Sequence, residues 1–368
     1  MKTLRLLADE NIPGLDTLCD NWASIRYCAG REITATDLQD IDALLVRSVT
    51  EVNSKLLTNS SVKFIGSATI GVDHIDRDYL QQRGIGFAYA PGCNANAVVD
   101  YVMSALLSLY SNAELQQRCI GIIGCGNVGS RLLRCLLHFG LQLKVFDPLV
   151  SIDTRAYSNA EQVQSLDALM DCDVISLHVP LTTSGDYPTR YLFDLQRLRA
   201  LAPSTLLVNS SRGAVVDNTA AKQVLAERPD LTLLLDVWES EPNIDLELYQ
   251  LCKIATPHIA GYSPEGKLKG TIAIVEAAKA FFSINSAPAK NSLNTTALSS
   301  IKNLDQYRQQ LQSIYQASID SELFYQQLLN AAVIGNGQGA AGQIFDDYRK
   351  NYTQHYPTRS EINYDIDK

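Results

Sequence analysis

The stretch Cys119-Ile-Gly-Ile-Ile-Gly124-Cys-Gly126-Asn-Val-Gly129 decides the fold. Apolar residues run into a Gly-x-Gly-x-x-Gly turn, and an amphipathic run from Arg131 to Phe139 leaves it. A second apolar run, Leu143-Lys-Val-Phe146, then ends on Asp147. Strand, tight turn, helix and strand in that order are what holding a dinucleotide requires. Gly124 permits the turn, Gly126 lets backbone approach a pyrophosphate, and Gly129 lets helix and strand pack closely. Asn127 and Val128 open the helix, whose free N–H groups and partial positive charge suit phosphates. Asp147 lies 18 positions after Gly129. It is placed to accept from ribose hydroxyls and to repel a 2′-phosphate, which favours NAD over NADP.

The same alternation extends in both directions. Leu4–Ala8, Ala43–Val46 and Phe64–Gly66 are apolar runs ending in polar tips, with helical segments between them. The first ninety or so residues therefore read as a small α/β unit with parallel strands. Ligands sit outside the carboxyl ends of such strands, where Arg47, Ser48 and Thr69 stand. A helix from Ala95 to Ala113 leads to the glycine stretch. Further strands are expected at Asp173–His178, Leu206–Asn209 and Leu231–Trp238, and a helix at Pro264–Phe282 is expected to return to the first unit. Ser283 to Ser300 reads as a linker. Asn303 to Ala332 is helical, with Leu304, Tyr307, Leu311, Ile314 and Tyr315 on one face. A tail of roughly seventy residues is small for a core of its own, so packing against a second subunit is expected.

Composition bounds the partners. With 368 residues the chain exceeds what one core holds, so two or three domains are expected. A net charge of -9 argues against nonspecific nucleic-acid binding. No apolar run approaches a membrane span and no signal-peptide core opens the chain, so neither membrane nor export is expected. The eight cysteines are scattered without a Cys-x-x-Cys pair, which reads as reduced thiols in the cytoplasm. The five histidines have no metal-ligand spacing, and no metal is expected.

Charged residues recur after the later strands: Arg212, then Asp236 and Glu241, then His258. Hydride transfer from a 2-hydroxy acid needs a cation for the carboxylate and carbonyl oxygen, and a group that exchanges the hydroxyl proton. Arg212 supplies a planar fork for the carboxylate. His258 is the residue type that cycles protons near neutrality, and Glu241 would favour its imidazolium and fix the ring. A helix-capping acid is the other reading of Asp236, and turn-forming or capping roles are the other readings of Ser48, Thr69 and Tyr262. His74 and His178 read as structural.

The motifs Ser210-Ser-Arg212-Gly-Ala-Val-Val-Asp217, Asp236-Val-Trp-Glu-Ser-Glu241-Pro242 and Pro257-His258-Ile-Ala-Gly261 resemble the D-2-hydroxyacid dehydrogenase family. Four further stretches resemble those of family members acting on a small phosphorylated 2-hydroxy acid. They are Val46-Arg-Ser-Val-Thr50, Ser67 to Asp76, Ala90-Pro-Gly-Cys-Asn94 and the tail Ile344 to Tyr352. The resemblance implies that Arg212 and Glu241 are catalytic and that His258 is the proton donor. It also implies that Asp147, Val179, Asp236 and Gly261 contact NAD, and that Ser48, Thr69 and Tyr262 contact substrate. Val179 departs from the family's Thr, leaving a backbone contact there, and Asn96 stands where an apolar residue is usual. Arg47, Arg349 and Lys350 are unranked candidates for the substrate phosphate. The implied architecture is two doubly wound parallel-sheet domains plus a small C-terminal α+β extension. The substrate domain, flavodoxin-like, takes residues 1–95 and 258–285, and the NAD domain, Rossmann-type, takes 96–257. Residues 286–368 form a dimerisation domain, making a homodimer. The alternatives are a phosphoglycerate or glyoxylate/hydroxypyruvate type of the same family, and a non-catalytic NAD-sensing protein on the same fold.

Overall fold

A computed structural model describes residues 3–152, 158–285, 295–333, 337–352 and 359–365. Two compact units emerge, Met1–Asn94 with Ser263–Asn294, and Ala95–Tyr262 with Thr295–Lys368. The return to the first unit thus falls at Tyr262/Ser263 rather than at 257/258. Half of the expected linker, residues 286–294, lies outside the described residues, and its end is structured as a short strand, Thr296–Ala297, and a 3-10 turn, Leu298–Ser300.

In the first unit, β1 (Leu4–Asp9), β2 (Ala23–Cys28), β3 (Ala43–Val46), β4 (Phe64–Ser67) and β5 (Gly86–Tyr89) form a parallel sheet ordered β2-β1-β3-β4-β5. Central β3 is buried along its whole length, as a strand covered on both faces must be, hence its unbroken Ala-Leu-Leu-Val. The edge strands β2 and β5 are half-exposed and carry polar residues or a leading glycine, so they leave little apolar signal. The helix Pro264–Phe281 starts with Ser263 Oγ accepting the Gly266 N–H at 2.9 Å and proline in the first turn. Its Ile274, Val275 and Ala278 pack on Leu6, Ala8, Leu45 and Phe64.

The second unit carries seven strands. They are β6 (Cys119–Ile123), β7 (Gln142–Phe146), β8 (Ala160–Gln162), β9 (Val174–Leu177), β10 (Leu206–Asn209), β11 (Thr232–Leu235) and β12 (Ile254–Ala255). All pairs are parallel, in the order β12-β11-β10-β9-β6-β7-β8. The helix Ala95–Leu109 stops four residues short of expectation because Ser111 and Glu114 form a capping box that starts a new helix, Asn112–Gln116. Asn96 is buried with both side-chain polar atoms unpaired, and nothing in the structure explains it. The helix Asn127–His138 buries Leu132, Leu133, Cys135 and Leu136 against the sheet and ends before Gly140, whose φ of +70° suits glycine. Each fully buried leucine there contributes roughly 1.5–3 kcal/mol.

The C-terminal segment finds its core on this same unit. Leu304, Tyr307, Leu311 and Tyr315 join a cluster with Val99, Val102, Leu106 and Leu136. Phe324, Phe345, Tyr348 and Tyr352 join another with Trp238, Leu248 and Tyr249. A second subunit is therefore not needed to bury this tail. The helix expected over Asn303–Ala332 is two, Leu304–Ile314 and Ala317–Val333, broken where Tyr315 turns extended. The Tyr315 ring is then fully buried, 3.8 Å beneath the Arg359 guanidinium, a tertiary contact that overrides helix periodicity. A further helix, Gly337–Lys350, arises from a glycine-rich start that reads as a breaker. Strands β13 (Thr296–Ala297) and β14 (Ile362–Asn363) pair in parallel. Among the described residues no helix is long and apolar enough to cross a membrane.

Candidate active site

Sheet order in the second unit places the candidate residues in one row. Reading from β12, the strand ends carry His258, then Asp236 and Glu241, Arg212, His178 with Val179, Gly124, and finally Asp147. The chain direction across the sheet reverses between β9 and β6, and ligands of open parallel sheets bind at such switch points. Proton-handling groups thus lie on one side of the switch and the glycine turn on the other.

Each glycine of that turn has its own reason. Gly124 has φ +87°, and a Cβ there would lie 2.6 Å from the His178 carbonyl oxygen and 2.8 Å from Val179 Cγ1. A Cβ on Gly129 would stand 1.9 Å from the Gly124 carbonyl oxygen. A Cβ on Gly126 would meet no protein atom within 4 Å, so this glycine leaves room for something other than protein. The space adjoins the helix start at Asn127 and Val128, where the first turn's N–H groups have no intrahelical acceptor. These residues fit a dinucleotide pyrophosphate. Asp147 braces the turn from the side: Oδ2 accepts the Cys125 N–H at 2.7 Å and Oδ1 the Leu149 N–H at 2.9 Å. A carboxylate has lone pairs left for ribose hydroxyls. Leu149 and Val150, which the sequence reading passed over, are exposed beside it and offer an apolar lip.

At the other end of the row, His258 Nδ1 and Glu241 Oε2 are 2.8 Å apart. Glu241 Oε1 also accepts the Trp238 N–H at 2.8 Å, so the carboxylate is fixed at both oxygens. Burial pushes the Glu241 carboxyl up. The opposing charge and hydrogen bond of His258, then Arg349 and the Trp238 N–H, outweigh that and hold it below the usual range. His258 itself has φ +55°, a strained backbone for a non-glycine residue. Asp236 holds it there. Its carbonyl accepts the His258 N–H at 2.7 Å, while its carboxylate accepts from Thr256 Oγ1, Ile259 N–H and Ala260 N–H at 2.7–2.9 Å. Asp236 is buried, and burial raises its pKa against the pull of these partners. The geometry makes Asp236 the organiser of the loop that carries His258 and Gly261.

Arg212 follows β10, its carbonyl accepting from Asn209 Nδ2 at 2.8 Å and its Nη1 donating to the Ser211 carbonyl at 2.8 Å. A Cβ on Gly213 would lie 2.0 Å from the Trp238 carbonyl oxygen, so only glycine lets the Arg212 loop close on the Glu241 loop. His178 bonds Ser176 Oγ at 2.9 Å, and burial pushes its pKa down to about 3, which leaves it a neutral structural residue.

Two tail arginines reach the same loop. Arg349 Nε donates to Tyr262 Oη at 3.1 Å. Arg359 donates to the carbonyls of Ile259, at 2.9 Å, and Ala260. Arg359 escaped the sequence reading because nothing local marks a cation a hundred residues downstream as a partner of this loop.

In the first unit Ser48 is exposed just after β3, at the β1/β3 switch point. Thr69, after β4, shares a hydrogen bond with Ser67 Oγ at 2.7 Å and donates to the Gly71 carbonyl at 2.8 Å. His74 Nε2 lies 3.0 Å from the same Ser67 hydroxyl, a structural role.

Residues 103–260 match the family described as D-isomer specific 2-hydroxyacid dehydrogenase, NAD binding domain. An erythronate-4-phosphate dehydrogenase of Shewanella sediminis is 43% identical over 360 residues, 95% of this chain and 92% of the relative. The chain belongs to the D-2-hydroxyacid dehydrogenase family. It is an NAD-dependent oxidoreductase of that family. An erythronate-4-phosphate dehydrogenase of Stutzerimonas stutzeri is 50% identical over 274 residues, 74% of this chain and 71% of the relative. Among solved structures, a D-lactate dehydrogenase from Aquifex aeolicus complexed with NAD and lactic acid superposes with a TM-score of 0.65. It is 25% identical, over 76% of this chain and 95% of that one. An NAD-bound 3-phosphoglycerate dehydrogenase from Entamoeba histolytica, at 23% identity, 77% and 97% coverage and TM-score 0.65, shares the fold.

Proposed function

We propose that this dehydrogenase oxidises 4-phospho-D-erythronate at C2 to (R)-3-hydroxy-2-oxo-4-phosphooxybutanoate, a step toward pyridoxal 5′-phosphate. Relatives of that name, 43–50% identical, support the substrate. The observation that carries the chemistry is the 2.8 Å contact of His258 Nδ1 with Glu241 Oε2. It fixes the tautomer so that Nε2 is the nitrogen that exchanges a proton with substrate.

When bound, NAD supplies the hydride acceptor. The chain's own residues do the rest. Gly124, Gly126, Asn127, Val128 and Gly129 hold the pyrophosphate, with Asp147 on the ribose and Val179 and Gly261 lending backbone. Asp236 contacts NAD and keeps the His258 loop in place. Arg212 pairs with the substrate carboxylate and stabilises charge at the C2 oxygen. His258 takes the C2 hydroxyl proton, and Glu241 stabilises the imidazolium that results. Ser48, Thr69 and Tyr262 are assigned to substrate contact.

The enzyme acts as a homodimer in the cytoplasm on this reading. Ile319, Leu323 and Leu329 are exposed along the helix Ala317–Val333 and suit a subunit contact. The eight cysteines are all free thiols, as a reducing compartment keeps them.

The test is kcat/KM across phosphorylated and unphosphorylated 2-hydroxy acids with NAD. The reading expects a clear preference for 4-phosphoerythronate. Equal or better use of 3-phosphoglycerate or glycerate would overturn the substrate and leave the reaction class standing.

A further inference from the structure

We propose that Arg349 is the phosphate-recognition residue of this enzyme, the side chain by which the site selects a phosphorylated 2-hydroxy acid over the unphosphorylated one. The inference rests on the substrate reading above and adds the group that enforces it. It starts from the tail helix Gly337–Lys350, whose last turn sets Arg349 against the loop carrying His258. Tyr262 lies four residues after His258, and its hydroxyl accepts from Arg349 Nε at 3.1 Å. The guanidinium carbon sits 5.7 Å from the Tyr262 ring and 5.6 Å from the Phe345 ring, which hold its plane. With Nε engaged, Nη1 and Nη2 have no hydrogen-bond partner among the described residues. A planar pair of charged donors, fixed in orientation, is the geometry that binds a phosphate through two oxygens.

Three other arginines of this unit are otherwise occupied. Arg359 is bound to Ile259, Ala260 and Tyr352. Arg131 and Arg134 both pair with Asp365. Arg212 is assigned to the carboxylate, at the opposite end of a four-carbon substrate from its phosphate. The charges of Arg349 and Glu241 act on each other, so the guanidinium is within electrostatic range of the proton-handling pair. The guanidinium is charged at any working pH, and its two unengaged donors favour an anion over a neutral hydroxymethyl end.

That proximity to Glu241 raises a rival role, in which Arg349 tunes the His258–Glu241 pair and touches no substrate. Steady-state kinetics separates them. In the wild type, kcat/KM is measured for 4-phospho-D-erythronate and for D-erythronate, and then again in Arg349→Gln and Arg349→Lys. Phosphate recognition predicts that the ratio of the two specificity constants falls about 10- to 100-fold in Arg349→Gln, the loss carried by KM for the phosphorylated acid. Arg349→Lys, which keeps a point charge without the fork, falls between. NADH titration by fluorescence and a thermal melt show that each variant is folded. An equal fall for both substrates with the ratio intact, or no change in the ratio, overturns the proposal and leaves the substrate reading standing. A wild type indifferent to the phosphate overturns both.

Discussion

Arg359 donates a hydrogen bond to the carbonyl of Ile259 at 2.9 Å, one residue past His258. The same peptide segment is held from its other side, where the Ile259 and Ala260 N–H groups are accepted by the Asp236 carboxylate. The proton-exchanging loop is thus clamped between an acid from the cofactor sheet and a base from the C-terminal tail. The tail is part of the site's frame as well as of the unit's core.

Removing the clamp should loosen both stability and rate. Arg359 is buried, stacked 3.8 Å over Tyr315 and bonded to Tyr352. Arg359→Met leaves two loop carbonyls and the Asp320 carboxylate cluster without a cation, and breaking a buried network of this kind costs about 3–5 kcal/mol. Urea denaturation should show that loss, with kcat reduced beyond any change in NAD affinity. A variant as stable as wild type would mean that the tail arginine is dispensable.

The glycine turn predicts opposite outcomes for two alanine substitutions. Gly126→Ala adds a methyl where no protein atom lies within 4 Å, so the melting temperature should hold while NAD affinity falls. Gly129→Ala places one 1.9 Å from the Gly124 carbonyl oxygen, so the fold itself should be destabilised. Calorimetry of both with and without NAD checks this. Normal NAD binding by Gly126→Ala would remove the pyrophosphate from that space.

Much of this frame was legible in the chain. Buried central strands such as Ala43–Val46 and Leu206–Asn209 announce themselves as unbroken apolar runs, and their polar ends mark Ser48 and Arg212. Edge strands β2 and β5 did not, because a half-exposed strand keeps polar residues. The Glu241–His258 pair could be named from motif order, but the 2.8 Å contact needs the fold. Asp236 reads as a cofactor contact, but that its carboxylate also accepts from Thr256, Ile259 and Ala260 needs the fold. Arg349 could be named but not ranked, since its place beside Tyr262 depends on a helix that a glycine-rich start conceals.

Glu241 gives a pH prediction. Its folded-state pKa lies below the unfolded value, so its ionised form is favoured by folding. The stability this contributes is present above the unfolded pKa, about 4.3, and is lost as pH falls through the lowered value. Glu241→Gln should therefore flatten the stability–pH curve below about pH 4.3 relative to wild type. Chemical denaturation from pH 3 to 7 measures it, and curves of the same shape would place the acid-sensitive group elsewhere.

The central claim is that His258, oriented by Glu241, exchanges the substrate proton. The direct measurement is single-turnover reduction of NAD by His258→Ala with 4-phosphoerythronate, at saturating cofactor. The account predicts a rate lower by about 10²–10⁴-fold with NAD affinity retained. A rate within a few-fold of wild type would contradict it and send the proton to another group.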